Sequence, residues 1–208
     1  MSAAKTSLDD YVPTLESGDR LTSTEFERRY EQMPELKKAE LIEGVVFLSS
    51  PVSSDHSRAH SILGGWLLNY SGAHPETSSH NDGSVRLDVD NQFQPHAVLR
   101  RVSHGNATLG ENRLLEGGPE LVVEIAISSV SRDLYTKKHV YRRSGVREYI
   151  VWRVLDREVD WFELRDGEYV ARTPDAAGII ESVQFPGLRL HVPALLAGDV
   201  AAVLRALS

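Results

Sequence analysis

The chain contains no cysteine, which excludes disulfides and thiolate metal sites together, so any metal ion must be held by oxygen or imidazole donors. It also lacks an apolar run approaching the roughly 20 residues that span a bilayer. The opening stretch, Met1 to Asp10, has neither an apolar core nor basic flanks, and the expectation is a cytoplasmic protein with no membrane partner. Low-complexity tracts and internal repeats are missing, as are a phosphate-cradling glycine loop and the nucleophile turn of serine hydrolases. An excess of basic charge is missing too. The formal net charge of -7 argues against a protein that coats nucleic acid, because nonspecific affinity scales with the number of phosphate-contacting Lys and Arg. A nuclease needs only a local basic rim, and Lys137, Lys138, Arg142, Arg143 and Arg147 form a dense candidate. The alternative for that run is a solvated helix face.

What is present is an ordinary globular composition, 41% hydrophobic and 25% charged over 208 residues, so one core is expected and not two. Residues 1–208 are expected to form a single domain, with residues 1–20 as an N-terminal arm that packs late or not at all. Thr22 followed by Glu25 has the form of a capping box, and Phe26, Tyr30 and Met33 recur at helical spacing after it. Leu41, Val45, Phe47 and Leu48 around Glu43-Gly44 predict a hairpin ending at Pro51. A second helix begins near Ser53 or Ser54, with Ile62, Leu63, Trp66, Leu67 and Tyr70 on one stripe.

Alternation at Val85, Leu87 and Val89 and at Ala97 and Leu99 predicts half-buried strands. Leu121 to Ile127 is an almost continuous apolar run broken only by Glu124, the pattern of a central strand covered on both faces. A helix from about Ser131 to Ser144, a strand from Tyr149 to Val154, a hairpin over Val159 to Val170 and a closing helix from Leu195 to Leu207 complete the order. The fold class is a mixed α/β sheet with flanking helices.

A carboxylate inside such a strand costs several kcal/mol unless it meets a cation or hydrogen-bond donors. For Glu124 that cation is either a metal ion or the partner in a buried ion pair. Asp133, Lys137 and Tyr141 are spaced four apart on the helix that follows and can point back at the strand end. Alternatively they are an Asp-Lys helix pair with a core tyrosine. His56 and His60, also four apart, suit a metal site if a third ligand comes from elsewhere, and otherwise read as surface or capping histidines.

The segments Glu40-Leu41-Ile42-Glu43-Gly44, Gln94-Pro95-His96, Leu121-Val122-Val123-Glu124, and Asp133 through Lys137 to Tyr141 with Gly145-Val146-Arg147-Glu148-Tyr149 occur in an order that resembles the Uma2 family of PD-(D/E)XK nucleases. The match runs from about Leu21 to Val154. The resemblance implies a restriction-endonuclease-like core, here with an extra β-hairpin and a C-terminal helix, that hydrolyses DNA phosphodiester bonds with a divalent metal ion. By resemblance, position 96 and Glu124 are metal ligands, Lys137 completes the catalytic site, and Glu40 is a further catalytic carboxylate. The lysine of the Glu-x-Lys motif would stand at position 126, which is Ala126; it has moved to the helix at Lys137. Position 96 departs from the pattern, with His96 where an aspartate is expected. Imidazole suits Mn2+ better than Mg2+, so the implied cofactor is Mg2+ or Mn2+ with Mn2+ favoured. The other readings are an inactive nuclease-fold module that binds nucleic acid or a protein partner, and an oligomeric scaffold in which an exposed edge hairpin near Trp161 and Phe162 makes a homodimer contact.

Overall fold

A computed structural model describes residues 11–49 and 52–207. The first ten residues of the expected arm, and Pro51, lie outside them. The described part of the arm is anchored at Leu15, contrary to expectation: Leu15 is buried with Phe26, Leu41 and Val46, and the Gly18 amide donates to the Val46 carbonyl, while Tyr11 stays exposed. An apolar side chain at position 15 supplies the reason.

Helix α1 (Ser23–Tyr30) starts at Thr22, whose hydroxyl accepts the Glu25 amide. Strands β1 (Ala39–Ile42) and β2 (Val45–Leu48) pair antiparallel. Glu43 and Gly44 between them both have positive φ, 51° and 72°, as a two-residue hairpin requires. Helix α2 (Ser54–Ala73), capped by Ser53, buries Ile62, Leu63, Trp66, Leu67 and Tyr70.

Strands β3 (Thr77–Asn81), β4 (Val85–Asp88), β5 (Asn91–Phe93), β6 (Ala97–Arg101), β7 (Thr108–Leu109), β8 (Leu115–Glu116) and β9 (Leu121–Ala126) follow. A π-helical turn, Arg132–Lys137, then runs directly into helix α3 (Lys138–Arg143), where a continuous α-helix was expected. Strands β10 (Glu148–Arg153), β11 (Glu158–Arg165) and β12 (Glu168–Arg172) form a meander. A small hairpin, β13 (Ile179–Glu181) with β14 (Arg189–His191), precedes helices α4 (Val192–Ala197) and α5 (Val200–Arg205). The single closing helix expected here is broken because Gly198 adopts φ 74° and Asp199 caps a new helix through the Ala202 amide.

Among the described residues twelve of the fourteen strands form two six-stranded sheets, ordered β2-β1-β5-β4-β8-β7 and β12-β11-β10-β9-β6-β3. In the second, β9 and β10 are parallel and joined by the π turn and α3, while β6 and β9 are antiparallel. Every residue of β9 is buried. Leu121, Val123 and Ile125 belong to the core beneath α2, whereas Val122 and Ala126 join Phe93, Tyr141 and Tyr149 on the other side. Period-two alternation places Glu124 on that second side.

Trp161 and Phe162, expected near an exposed edge hairpin, are themselves only 1% and 8% exposed, and the exposed positions of that hairpin lie on β12, Val170 among them. Trp161 packs edge-on against Trp66 and donates its indole N–H to Glu148. No helix among the described residues is long and apolar enough to cross a membrane.

Candidate active site

Glu124 is wholly buried, and three groups compensate the lost hydration. Lys137 Nζ and the Tyr141 hydroxyl both donate to Oε1 at 2.9 Å, and His96 Nδ1 stands 2.5 Å from Oε2. Lys137 also donates to Glu40 Oε1 at 2.8 Å, an oxygen that accepts the Gln94 amide as well. The structure thus brings Glu40, His96, Glu124 and Lys137 together around one buried ammonium. Of the two accounts of Glu124 weighed from the sequence, the buried ion pair is formed, and its partner is the lysine that the motif singles out.

Each residue arrives by a different route. Glu40 is carried inward by β1, His96 immediately precedes β6, and Glu124 sits opposite Val151 in the β9–β10 ladder. Lys137 closes the π turn, and within that turn the Asp133 carbonyl accepts the Tyr149 hydroxyl at 2.9 Å. Single π turns recur at functional sites because the extra residue re-aims side chains that an α-helix would fix elsewhere.

The electrostatics follow from burial and these contacts. Burial alone would push Glu124 up, but the Lys137 charge and the His96 hydrogen bond outweigh it and hold the carboxyl well below its usual range. Lys137 is raised: its own burial opposes this, and the carboxylates of Glu124, Glu40 and Asp133 prevail. Burial, reinforced by Glu124, pushes Tyr141 well up, so it remains a donor. Asp133 is raised to about 7 by burial and then by Glu124.

Burial also lowers His96, despite the neighbouring Glu124. Two groups compete for its Nδ1, since the Ile125 amide also points at this nitrogen from 3.2 Å. A hydrogen bond to a carboxylate is shorter and roughly twice as strong as one between neutral groups, so the 2.5 Å contact decides the tautomer. Nδ1 carries the proton, and Nε2, which makes no hydrogen bond among the described residues, keeps its lone pair.

Glu40, His96 and Lys137 form the floor of a cavity of about 580 Å³, with Glu124 behind them and out of its lining, and the walls include Lys38, His56, His60, Asp82, Ser129 and Arg132. The two α2 histidines are not surface or capping groups: their rings lie 4.6 and 5.6 Å from that of His96. His60 Nε2 donates to the His96 carbonyl at 2.6 Å, and its Nδ1 is 3.6 Å from Asp82. His56 Nδ1 is buried without a hydrogen-bond partner, and burial followed by the nearby His96 lowers this histidine to about 4.

The expected basic rim is elsewhere. Lys137 is interior, Arg142 pairs with Glu168, Arg143 pairs with Glu43 and Asp88, and Lys138 lies 3.4 Å over the Phe162 ring. Besides Lys137 at the floor, the cations that line the cavity are Lys38 and Arg132, and Arg132 Nε is buried without a partner. Neither carries a motif of its own. Tertiary folding alone brings them to the mouth, whereas the four-residue spacing of His56 and His60 was a usable signal.

Among the described residues no three His, Asp or Glu side chains already stand as a metal cage, because Lys137 fills the space between Glu40 and Glu124. The residues that fit an ion are on the cavity side of that cluster. A ligating histidine usually donates its other ring N–H to a carboxylate, which is the relation His96 has to Glu124. The unsatisfied nitrogen of His56 lies in the same wall.

A family model described as "Uma2: Putative restriction endonuclease" matches residues 24–193. No curated protein matches the chain. A crystal structure at 1.96 Å resolution of "a putative nuclease belonging to DUF820" from Anabaena variabilis ATCC 29413 superposes with a TM-score of 0.65 at 15% identity, over 82% of this chain and 96% of that one. At that identity the likeness is one of fold. With the family model spanning most of the sequence, including Glu40, His96, Glu124 and Lys137, the chain belongs to the Uma2 family.

Proposed function

We propose that this protein is a divalent-metal-dependent endonuclease that hydrolyses DNA phosphodiester bonds, with the ion held on the cavity side of His96 and Glu124 setting that ring from behind. The observation that carries the reading is the short His96–Glu124 contact beside a fully buried lysine on a cavity floor. A bound Mn2+ or Mg2+ ion would polarise a phosphoryl oxygen and make a bound water more acidic. Imidazole among the donors favours Mn2+. The chain's own groups do the rest. Glu124 fixes the His96 tautomer, His60 holds the His96 backbone, and Tyr141 and Lys137 keep Glu124 ionised. Lys137 adds a permanent positive charge at the floor, and Arg132 and Lys38 offer contacts for a phosphate backbone at the walls.

The test is nicking of supercoiled plasmid by the purified protein in Mn2+ and in Mg2+, with Glu124→Ala and Lys137→Ala prepared identically to exclude a contaminating nuclease. Cleavage in Mn2+ that both variants lose is the expected result; equal cleavage by the variants sinks it. One observation favours a second reading, a catalytically silent module that binds nucleic acid or a protein: Lys137 is already paired with both Glu40 and Glu124. That reading is adopted if neither the natural protein nor His96→Asp cuts single- or double-stranded DNA with either ion while a labelled oligonucleotide still binds.

A further inference from the structure

The buried polar groups that these contacts leave unexplained include one imidazole nitrogen. His56 stands on α2, where its backbone amide donates to the Ser53 hydroxyl at the helix start, so the position of its Cα is fixed by the cap. Its Nδ1 is shut off from solvent and has no hydrogen-bond partner. A buried nitrogen of this kind is unfavourable unless something binds it. The two flanking histidines differ from it: His60 is committed to the His96 carbonyl, and His96 Nδ1 to Glu124. What remains free is His56 Nδ1 and His96 Nε2, on rings 4.6 Å apart in the wall of one cavity.

From this juxtaposition we propose that His56 is a second imidazole donor at the metal site, acting with His96, so that the cavity takes a borderline transition ion such as Mn2+, Co2+ or Zn2+ in preference to Mg2+. The inference rests on the metal-dependent reading above and deepens it. Two neutral nitrogens suit such ions and suit poorly the hard Mg2+ ion, which demands oxygen donors. Glu124 then acts through His96, orienting the ring and raising its basicity, as carboxylates do behind ligating histidines.

The experiment uses the full chain loaded with Co2+, followed by the visible absorption of the ion and by the paramagnetically shifted imidazole N–H protons, with Mg2+ affinity measured in parallel by calorimetry. Two shifted N–H signals are expected in the natural protein and one in His56→Ala. Co2+ affinity should fall on the order of 100-fold in that variant, at least the loss typical of removing a supporting partner, with Mg2+ affinity unchanged. Circular dichroism and Tm establish that the variant is folded, and His56→Gln, which keeps a polar group but no imidazole, should behave like it. Unchanged Co2+ affinity and spectrum in both variants overturn the proposal, as does a natural protein that shows no shifted imidazole proton. Failure here is separable from failure of the nuclease reading: Co2+ binding that depends on His56 in a protein that cuts no DNA leaves this site standing alone, while DNA cleavage indifferent to His56 does the reverse.

Discussion

Lys137→Met asks what a single buried cation contributes. The native ammonium lies 2.8 Å from Glu40 and 2.9 Å from Glu124, and its side chain and those of the two carboxylates are at most 5% exposed. Methionine preserves volume and removes the charge, leaving two interior carboxylates without their shared counter-ion. Removing one partner of a buried pair costs about 3–5 kcal/mol, which for a chain of this size lowers Tm by roughly 6–20 °C. Thermal unfolding followed by circular dichroism should therefore show a large loss of Tm in the variant. A Tm within about 2 °C of the natural protein, a loss of less than roughly 1 kcal/mol, would refute the view that Lys137 is the counter-ion of this cluster.

His96→Asp puts an oxygen donor where imidazole now faces Glu124, and should raise Mg2+-supported plasmid cleavage relative to Mn2+; an unchanged preference between the ions counts against position 96 as a ligand. Asp133 has a native pKa of about 7 against an ordinary 3.8, so the folded state holds a proton that the unfolded chain has lost between those values. Its contribution to stability is complete below about pH 4 and declines as pH rises through 7. Asp133→Asn should flatten that decline and be the more stable protein at pH 8 in guanidinium titrations, whereas parallel pH profiles for the two would contradict the raised value.

Elements set by local periodicity were legible from the sequence. The α2 stripe, the Glu43-Gly44 turn and the apolar run of β9 are each specified by neighbours in the chain. Strand β3 was not, because Thr77–Asn81 is polar and is a strand only through its pairing with β6. The residues at the cavity floor could be found because a charge in a fully apolar strand is conspicuous and four ordered segments surround it. Its walls could not: Lys38, Asp82 and Arg132 come from three separate loops and turns, and only the fold makes them neighbours. The basic run after Lys137 was misleading for a related reason. Charge counted along a helix says nothing of the acidic partners that tertiary structure supplies, here Glu43, Asp88 and Glu168.

The π turn at Arg132–Lys137 has a bearing on how this family can change. A π turn holds one residue more than the α-helical turn it replaces, and that surplus can be gained or lost without altering the helix on either side. Val140 and Tyr141 would keep their places in the core, while the residue presented to Glu124 would be exchanged for its neighbour. In this segment the side chain that meets Glu124 is therefore set by the length of the turn as well as by its sequence.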